Sequence, residues 1–296
     1  MLFPIRLTDS GWPPGVRRVM RRFMWLDPRL VLDPGLDAAS YSLAMAAFEV
    51  GSTRRITGAG RHAAADALLD RLDLSDAVIV DMGASDGITS VELVERLGRF
   101  REYVITDLCL VVDVARTGPR MVFRDAAGRV VVVAGPHFVA WPASSALVRL
   151  LYRPIMARTE RSGQDGAADL QVPLLNPATR RLLERDPRVQ VRAHDIFTAW
   201  PGPRPDLVKV ANVLRRLYFS VERIRAALAV ILFTLPEGGH LLLIDNPRVT
   251  PPVPVRGCLY RRTGDRFEVV GRTGQPTEAH DLVLQVRARH LTSPDR

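Results

Sequence analysis

The stretch VIVDMGASDGITSVELVERLG, residues 78–98, constrains the fold of this chain more than any other. It opens with an apolar run typical of a buried strand, passes through a glycine turn, and ends with apolar residues at helical spacing. Such a turn presents backbone N–H groups and the positive end of a helix dipole to a ligand. The stretch therefore predicts a βα unit that binds a nucleotide.

Helix-like and strand-like segments alternate along most of the chain from about residue 61. The strand-like segments are AVIVDMG, EYVITD, VQVRAHDIF, PDLVKVANVL and HLLLIDN, with helical runs such as SVERIRAALAVILFTL between them. This alternation predicts an α/β fold with a doubly wound, mostly parallel sheet. Two alternating segments near the end, RFEVVGRTG and HDLVLQVRAR, predict that the sheet finishes with antiparallel edge strands.

Two segments fall outside this core, which we place at 61–296. Residues 1–60 contain a basic amphipathic run, VRRVMRRFMWLDPRLVL, and an apolar run, DAASYSLAMAAFEVG, and predict an N-terminal helical cap. An insertion at 108–187 contains a hairpin signal, RMVFRDAAGRVVVVAG, then a helical run, SSALVRLLYRPIMARTER, and the polar loop SGQDGAAD. Because a strand-to-strand connection needs only about 2–6 residues, we expect the insertion to have a separate function, as a substrate lid.

Charge and composition limit the partners. The net charge is +9, yet Lys209 is the sole lysine and the arginines are scattered, many beside acids. This pattern indicates a solvated surface, so no nucleic-acid partner is expected. The basic run GVRRVMRRFMWL leaves contact with a membrane surface as an alternative that we do not favour.

Other features favour a cytoplasmic protein. No apolar run reaches the roughly 18 residues of a membrane span, and no signal peptide is evident. Cys109 and Cys258 are far apart in sequence, which fits a reduced compartment. The histidines follow no metal-binding spacing, so no metal site is indicated. The sequence leaves a homodimer open.

The glycine turn distinguishes three classes of nucleotide site. A P-loop needs Gly-Lys-Ser/Thr, and a dinucleotide fold prefers G-x-G-x-x-G, and neither is present. DMGASDG instead resembles the first motif of class I S-adenosylmethionine-dependent methyltransferases, an acid followed by G-x-S-x-G. The resemblance continues in order to about residue 250, with acids closing the second strand and following the third, then VANVL and LPEGGHLLLID, in which Glu237 interrupts the L-x-P-G-G turn.

The resemblance implies S-adenosylmethionine as cofactor and assigns roles to residues. The turn would form the floor of the site, Asp107 would bind the ribose hydroxyls, and Asp195 would meet the adenine amino group with Ile196 or Phe197 against the ring. Asn212 would orient the methionine part or the acceptor. The predicted cofactor-binding residues are Asp81, Gly83, Ser85, Gly87, Asp107, Leu108, Asp195, Ile196 and Asn212.

Candidates for catalysis are less sharply indicated, because methyl transfer from a sulfonium needs alignment more than a strong acid or base. They are Asn212, Tyr218 and His137, with Asp245 and Asn246 after the fifth strand at a similar height in the fold and Arg215 as a further outer candidate. Lys209 is unusual in mid-strand, and it either pairs with a nearby acid or points into the cleft.

The resemblance implies an enzyme, and the acceptor is the remaining question. The added segments are rich in apolar and aromatic residues, which favours a small organic acceptor in an enclosed pocket: Phe3, Trp12, Phe23, Trp25, Phe123, Phe138, Trp141 and Tyr152. Residues 195–244 are also similar to chemotaxis-receptor glutamate methyltransferases, although Ala211 replaces an arginine and two extra residues precede Tyr218. A protein or peptide acceptor is therefore the alternative, and a non-catalytic methyltransferase-like binding module is the third hypothesis.

Overall fold

The computed structural model describes residues 5–8, 12–20, 24–50, 53–142, 170–247 and 254–287. The chain divides into two compact units. The parallel-sheet unit comprises Ala59–Leu108 and Ala178–Arg296, and the antiparallel-sheet unit comprises Met1–Gly58 and Cys109–Pro177.

The strands of the described residues are, in chain order, β1 (Ile5–Thr8), β2 (Met24–Trp25), β3 (Glu49–Val50), β4 (Thr53–Arg54), β5 (Val78–Met82), β6 (Glu102–Asp107), β7 (Val111–Thr117), β8 (Arg120–Arg124), β9 (Val130–Ala134), β10 (Phe138–Ala140), β11 (Leu170–Pro173), β12 (Val189–Ala193), β13 (Leu207–Ala211), β14 (His240–Asp245), β15 (Arg256–Thr263) and β16 (Arg266–Arg272). The α-helices are α1 (Pro14–Met20), α2 (Ala38–Met45), α3 (Ala63–Asp66), α4 (Ile88–Leu97), α5 (Pro177–Arg185), α6 (Val221–Thr234) and α7 (His280–Gln285).

The sheet of the parallel-sheet unit has the order β12-β6-β5-β13-β14-β15-β16 in the described residues. The first five strands are parallel, and β15 and β16 are antiparallel additions. Every residue of β5 is buried because both faces are covered. Ile79 packs in a cluster with Val91 of α4, whereas Val80 faces a second cluster that contains Ile231 of α6. The predicted α/β fold with antiparallel strands at the C-terminal end is confirmed.

The identity of the last antiparallel strands differs from the prediction. RFEVVGRTG does contain a strand, β16, but its partner is β15, which precedes it. The segment HDLVLQVRAR, predicted as a strand, contains helix α7 instead. Leu282, Val283 and Val286 all lie in one core cluster, which a helix permits and a strand would prevent, because consecutive strand side chains point to opposite faces.

The antiparallel-sheet unit contains a sheet with the order β11-β7-β8-β9-β10-β1-β2 in the described residues. The predicted hairpin is present as β8 and β9, joined through a turn at Asp125. Strand β1 pairs with β10, and β2 pairs with β1. The N-terminal segment, predicted as a helical cap, thus contributes strands to the same sheet as the insertion.

The N-terminal helices are shorter than predicted. The basic run forms α1, of whose residues none is buried, and then the strand β2 and a 3-10 helix at Pro28–Leu32. Asp27 precedes a proline, which disfavours helical backbone at Asp27, and its carboxylate caps the 3-10 helix by accepting from Arg29 N at 2.9 Å. The apolar run forms α2, capped by Asp37.

Several aromatic residues predicted to line an acceptor pocket are core residues of the antiparallel-sheet unit. Phe123 is buried and meets Phe48 edge-on at 5.2 Å between ring centroids. Trp141 is buried, and its Nε1 donates to Ala47 O at 2.6 Å. These side chains stabilise the unit itself, so their presence in the sequence does not indicate a pocket.

The C-terminal limit of the insertion differs from the predicted limit at residue 187. Residues 178–187 belong to the parallel-sheet unit, where α5 packs Thr179 against the glycine turn. The helical run and polar loop predicted over 144–169 lie outside the described residues. Among the helices of the described ranges, none combines the length and apolar character needed to cross a bilayer. That residues 108–187 act as a substrate lid stays a prediction.

Candidate functional site

The glycine turn after β5 is clamped to the end of the neighbouring strand β6. The N–H groups of Gly83 and Ala84 both donate to Thr106 O at 2.9 Å, and Ser85 N donates to Asp107 Oδ2 at 2.8 Å. Gly83, Ser85 and Gly87 all have positive φ, at 77°, 62° and 81°. The sequence prediction of a tight turn at this point is therefore correct, and the turn is fixed to the strand that carries Asp107.

The two glycines of the turn are needed by the protein's own packing. A Cβ at Gly83 would overlap Val213 Cγ2, and a Cβ at Gly87 would lie 2.7 Å from Thr179 Cγ2. The resemblance implied that Gly83 is part of the floor of the cofactor site. Because backbone conformation and packing already require glycine, replacing Gly83 with valine is not a clean test of ligand binding.

Helix α4 begins directly after the turn. Its first N–H, that of Ile88, donates to Asp86 Oδ1 at 3.1 Å, and the Asp86 carbonyl accepts from Thr179 Oγ1 at 2.9 Å. The buried Asp86 carboxylate therefore sits at the positive end of the helix dipole and takes one of the donors that the sequence suggested for a ligand.

Asp107 and Asp195 follow neighbouring parallel strands at one edge of the sheet. Strands β6 and β12 pair with Asp107 opposite Ala193, and His194 N donates to Asp107 O at 3.1 Å. Both carboxylates belong to half-buried residues. The Asp195 carboxylate accepts from Phe197 N at 3.0 Å, which fixes the loop after β12. Their common edge is the carboxyl end of the strands, where open α/β sheets bind ligands.

The apolar residues beside these acids have different environments. Ile196 is buried in the core cluster that includes Leu214 and Ile224. Phe197 is half-buried, with its ring 5.1 Å from that of Phe219. Leu108 is exposed. Of the two side chains predicted to pack on an adenine ring, Ile196 is thus held in the core and Phe197 lies nearer the surface.

Asp81 does not belong to the surface of this edge. Its carboxylate is buried, and Oδ2 accepts from Ser90 Oγ at 2.8 Å and from Tyr103 Oη at 2.9 Å. Burial beside this carboxylate raises the pKa of Tyr103 well above its ordinary value, so the phenol stays a donor. Asp81 thereby joins β5, β6 and α4, and its assignment as a cofactor-binding residue stays a prediction.

Lys209 is buried and lies between two carboxylates. Its Nζ is 3.1 Å from Asp66 Oδ1 and 3.9 Å from Asp81 Oδ2, and β13 and β5 pair with Lys209 opposite Asp81. Burial raises the pKa of Asp66, and Lys209 opposes that shift. Of the two alternatives drawn from the sequence, Lys209 pairs with acids. Asp66 was missed, since it lies in a helix far along the chain with no motif around it.

Asn212 and Asn246 join the ends of β13 and β14. Asn246 N donates to Asn212 Oδ1 at 2.6 Å, Asn212 Nδ2 donates to Asn246 Oδ1 at 2.8 Å, and Asn246 Nδ2 donates to Arg61 O at 3.0 Å. Asn212 has positive φ, 62°, which asparagine tolerates better than most residues. Its Nδ2 also lies 3.2 Å from Nε2 of the buried His62, a residue that sequence reasoning did not single out.

The remaining candidates are dispersed. Arg215 is buried, pairs with Glu278 and donates to Asn246 O at 3.2 Å, while Asp245 accepts from Glu278 N at 2.6 Å. Burial raises the pKa of Asp245. Tyr218 lies in the turn before α6, with its ring 6.5 Å from that of Phe219. His137 is an exposed residue of the antiparallel-sheet unit, beside Trp12 at 5.0 Å.

The sequence identity and the structural overlap between this chain and known proteins are both low. No family model and no curated protein matches the chain. Among solved structures, it is similar to an O-methyltransferase family 2 protein from Planctomyces limnophilus in complex with apigenin, at 17% identity and TM-score 0.29 over 61% of this chain and 34% of that one. Human N-acetylserotonin methyltransferase with S-adenosylmethionine matches at 13% identity and TM-score 0.35 over 73% and 40%.

A third similar structure is an N-methyltransferase from Bradyrhizobium japonicum in complex with S-adenosylhomocysteine, at 15% identity and TM-score 0.33 over 62% of each chain. The match spans only about a third to two fifths of the length of the first two structures. Overlaps of this size do not identify a family, and the fold described above rests on the chain's own strand order.

We predict that Lys209→Met destabilises the protein by about 3–5 kcal/mol at neutral pH, because it leaves Asp66 and Asp81 buried without a cation. Urea unfolding measures the loss. Adding Asp66→Asn should recover part of it. The matched control is Arg185→Met at the exposed Arg185–Glu95 pair, expected to cost less than about 1 kcal/mol. Equal losses at the two sites would contradict the prediction.

We also predict an acid-dependent loss of stability that arises from His62. Burial, with the charges of Lys209 and Arg61, holds the pKa of His62 well below its ordinary value of 6.5. As the pH falls below about 6.5 the unfolded chain binds the proton first, so stability decreases. The loss should develop mainly between pH 7.5 and 5.5, the range in which His62 of the unfolded chain becomes protonated. Denaturant titrations should show a smaller pH-dependent loss in His62→Gln, and parallel curves would refute the assignment.

Proposed function

We propose that the parallel-sheet unit binds S-adenosylmethionine at the carboxyl edge of its parallel strands and transfers the methyl group to a small organic acceptor. The observation that carries the proposal is the clamp between the glycine turn and Asp107. The hydrogen bond from Ser85 N to Asp107 Oδ2 holds the acid at a fixed position beside the turn. This is the pairing that the resemblance to class I methyltransferases requires, a glycine turn beside an acid on the adjacent strand.

The donor and acceptor groups at this edge fit the proposed cofactor. A carboxylate has two oxygens and about four lone-pair sites, so Asp107 can accept from ribose hydroxyls in addition to Ser85 N–H. Asp195, after the next strand, offers a second carboxylate suited to an exocyclic amine. Phe197 supplies a half-buried ring nearby for packing against a base.

When bound, S-adenosylmethionine would supply an electrophilic methyl carbon: the acceptor's nucleophile would bond to it in line as the C–S bond breaks, and S-adenosylhomocysteine would leave with the electron pair. The residues of this chain then need to hold donor and acceptor in register and exclude water, which accounts for much of the rate of such a step. Asn212 and Asn246 form a rigid amide pair at the ends of β13 and β14 that suits a positioning role. Tyr218 and His137 are further candidates that rest on the sequence.

The arginines support a small acceptor over nucleic acid. In the described residues many of them bond to neighbouring acids or lie against aromatic rings, as in the pairs Arg29–Asp27, Arg96–Asp70, Arg101–Asp76, Arg129–Asp125, Arg185–Glu95, Arg188–Asp186, Arg215–Glu278 and Arg266–Glu268. Charges balanced in this way do not form the continuous basic track that a phosphate backbone selects.

Replacing Asp107 with alanine tests the proposal. We expect the dissociation constant for S-adenosylhomocysteine, measured by calorimetry, to rise about 10- to 100-fold, the scale of a lost hydrogen bond to a charged group. Asp107→Asn should retain the bond from Ser85 N and lose less. Asp113→Ala, in the other unit, is a control that should leave binding unchanged. Wild-type protein that binds no S-adenosylhomocysteine would refute the function.

A further inference from the structure

His62 presents a buried donor group that the protein itself does not use. It immediately precedes α3 and is 4% exposed. Its Nε2 lies 3.2 Å from Asn212 Nδ2, whereas its Nδ1 is buried and has no hydrogen-bond partner in the described residues. Buried polar groups nearly always have a partner, so this atom calls for an explanation.

The neighbouring amides determine which ring nitrogen carries the proton. Asn246 N–H donates to one side-chain atom of Asn212, which must therefore be the oxygen, and this fixes the orientation of the amide. The other atom, Nδ2, then donates both to Asn246 Oδ1 and towards His62 Nε2. We assign Nε2 as the acceptor of this 3.2 Å contact, which places the proton of the neutral imidazole on Nδ1.

The imidazole is neutral in this environment. Burial and the nearby cations Lys209 and Arg61 keep the pKa of His62 well below its ordinary value. Nδ1–H is consequently a neutral hydrogen-bond donor whose acceptor must come from outside the described residues. The same arrangement prevents His62 from acting as a general base, because Nε2 is engaged by Asn212 and Nδ1 already carries its hydrogen.

The position of His62 relative to the glycine turn indicates which part of a bound ligand it would meet. Strand β13 pairs with β5 as far as Val210 opposite Met82, so Asn212 lies beside the turn that follows β5. Val213, the next residue, packs directly against Gly83. His62, in contact with Asn212, belongs to this same part of the edge, next to the turn and distant along the sheet from Asp195 on β12.

We propose that His62 Nδ1–H donates a hydrogen bond to the carboxylate of the methionine part of S-adenosylmethionine, held in place by Asn212 and Asn246. The inference rests on the proposed function, which assigns the ribose to Asp107, and it adds that the methionine part extends from there along the glycine turn towards β13. His62 is then a binding residue for the cofactor, and the two asparagines are positioning residues that select its tautomer.

Two ligands and two substitutions test this assignment. S-adenosylhomocysteine contains the carboxylate, and 5′-methylthioadenosine lacks the whole amino-acid part. His62→Gln keeps a polar group near the Nε2 position and loses the Nδ1 donor, whereas His62→Asn can place its amide N–H where Nδ1–H was. We expect His62→Gln to weaken S-adenosylhomocysteine about 10-fold or more and 5′-methylthioadenosine less than 2-fold, with His62→Asn close to wild type for both.

The outcomes separate this inference from the proposed function. If wild-type protein binds neither ligand, the function itself is wrong. If Asp107→Ala weakens both ligands while His62→Gln changes neither, the function stands and the His62 assignment is overturned. Equal weakening of both ligands by His62→Gln also overturns it, since the residue would then act through the shape of the turn.

A measurement on unsubstituted protein covers the case in which the variants do not fold. Long-range ¹⁵N–¹H spectra of the imidazoles report the tautomer of each histidine, and we expect His62 to carry its proton on Nδ1. Addition of S-adenosylhomocysteine should shift the Nδ1–H resonance, and 5′-methylthioadenosine should leave it near its original position. The inference would be overturned if the ring carried its proton on Nε2, or if the chemical shift of the Nδ1–H resonance did not change on addition of S-adenosylhomocysteine.

Discussion

The ion pair of Lys209 with Asp66, beside Asp81, is the interaction on which the candidate site depends. It joins three elements at once: β13 carries the lysine, α3 carries one carboxylate, and β5 carries the other. Asp81 extends the contact to α4 through Ser90 and to β6 through Tyr103. The glycine turn is therefore supported from below by a network of buried polar groups, each with a defined partner.

The size of the lysine head explains why a chain with so many arginines retains one lysine there. An ammonium is a compact charge with three donors and fits between two carboxylates, whereas a guanidinium is a planar fork that would need more space. His62 immediately precedes the short helix α3, and Asp66 is the last residue of that helix. Holding Asp66 in place thus also holds His62, and the pair connects the stability of the core to the geometry of the edge that we propose binds the cofactor.

The sequence allowed correct predictions for those elements whose signals lie within a short stretch of the chain. The strand, turn and helix of residues 78–98 and the acids at strand ends follow from periodicity and glycine placement, and the structure has them. The partners of Lys209 and Asn212 did not follow, because Asp66 and His62 are each more than 140 positions away along the chain. The shared sheet of β1 and β10 was missed for the same reason, and α7 was misjudged because six residues give too few turns to define a period.

Charge varies along the edge in a way that bears on the proposed ligand. A carboxylate ends β6 and another follows β12 at one end; at the other end amide donors follow β13 and β14, and the imidazole of His62, which precedes α3, contacts one of them. Arg215, near the second end, is already paired with Glu278. A ligand with hydroxyl and amine donors at one end and a carboxylate at the other would meet complementary groups along the whole edge. S-adenosylmethionine has ribose hydroxyls and an adenine amine at one end and an α-amino acid at the other, and a fixed neutral donor can hold the carboxylate of that amino acid while adding no cationic side chain beside its ammonium and the sulfonium.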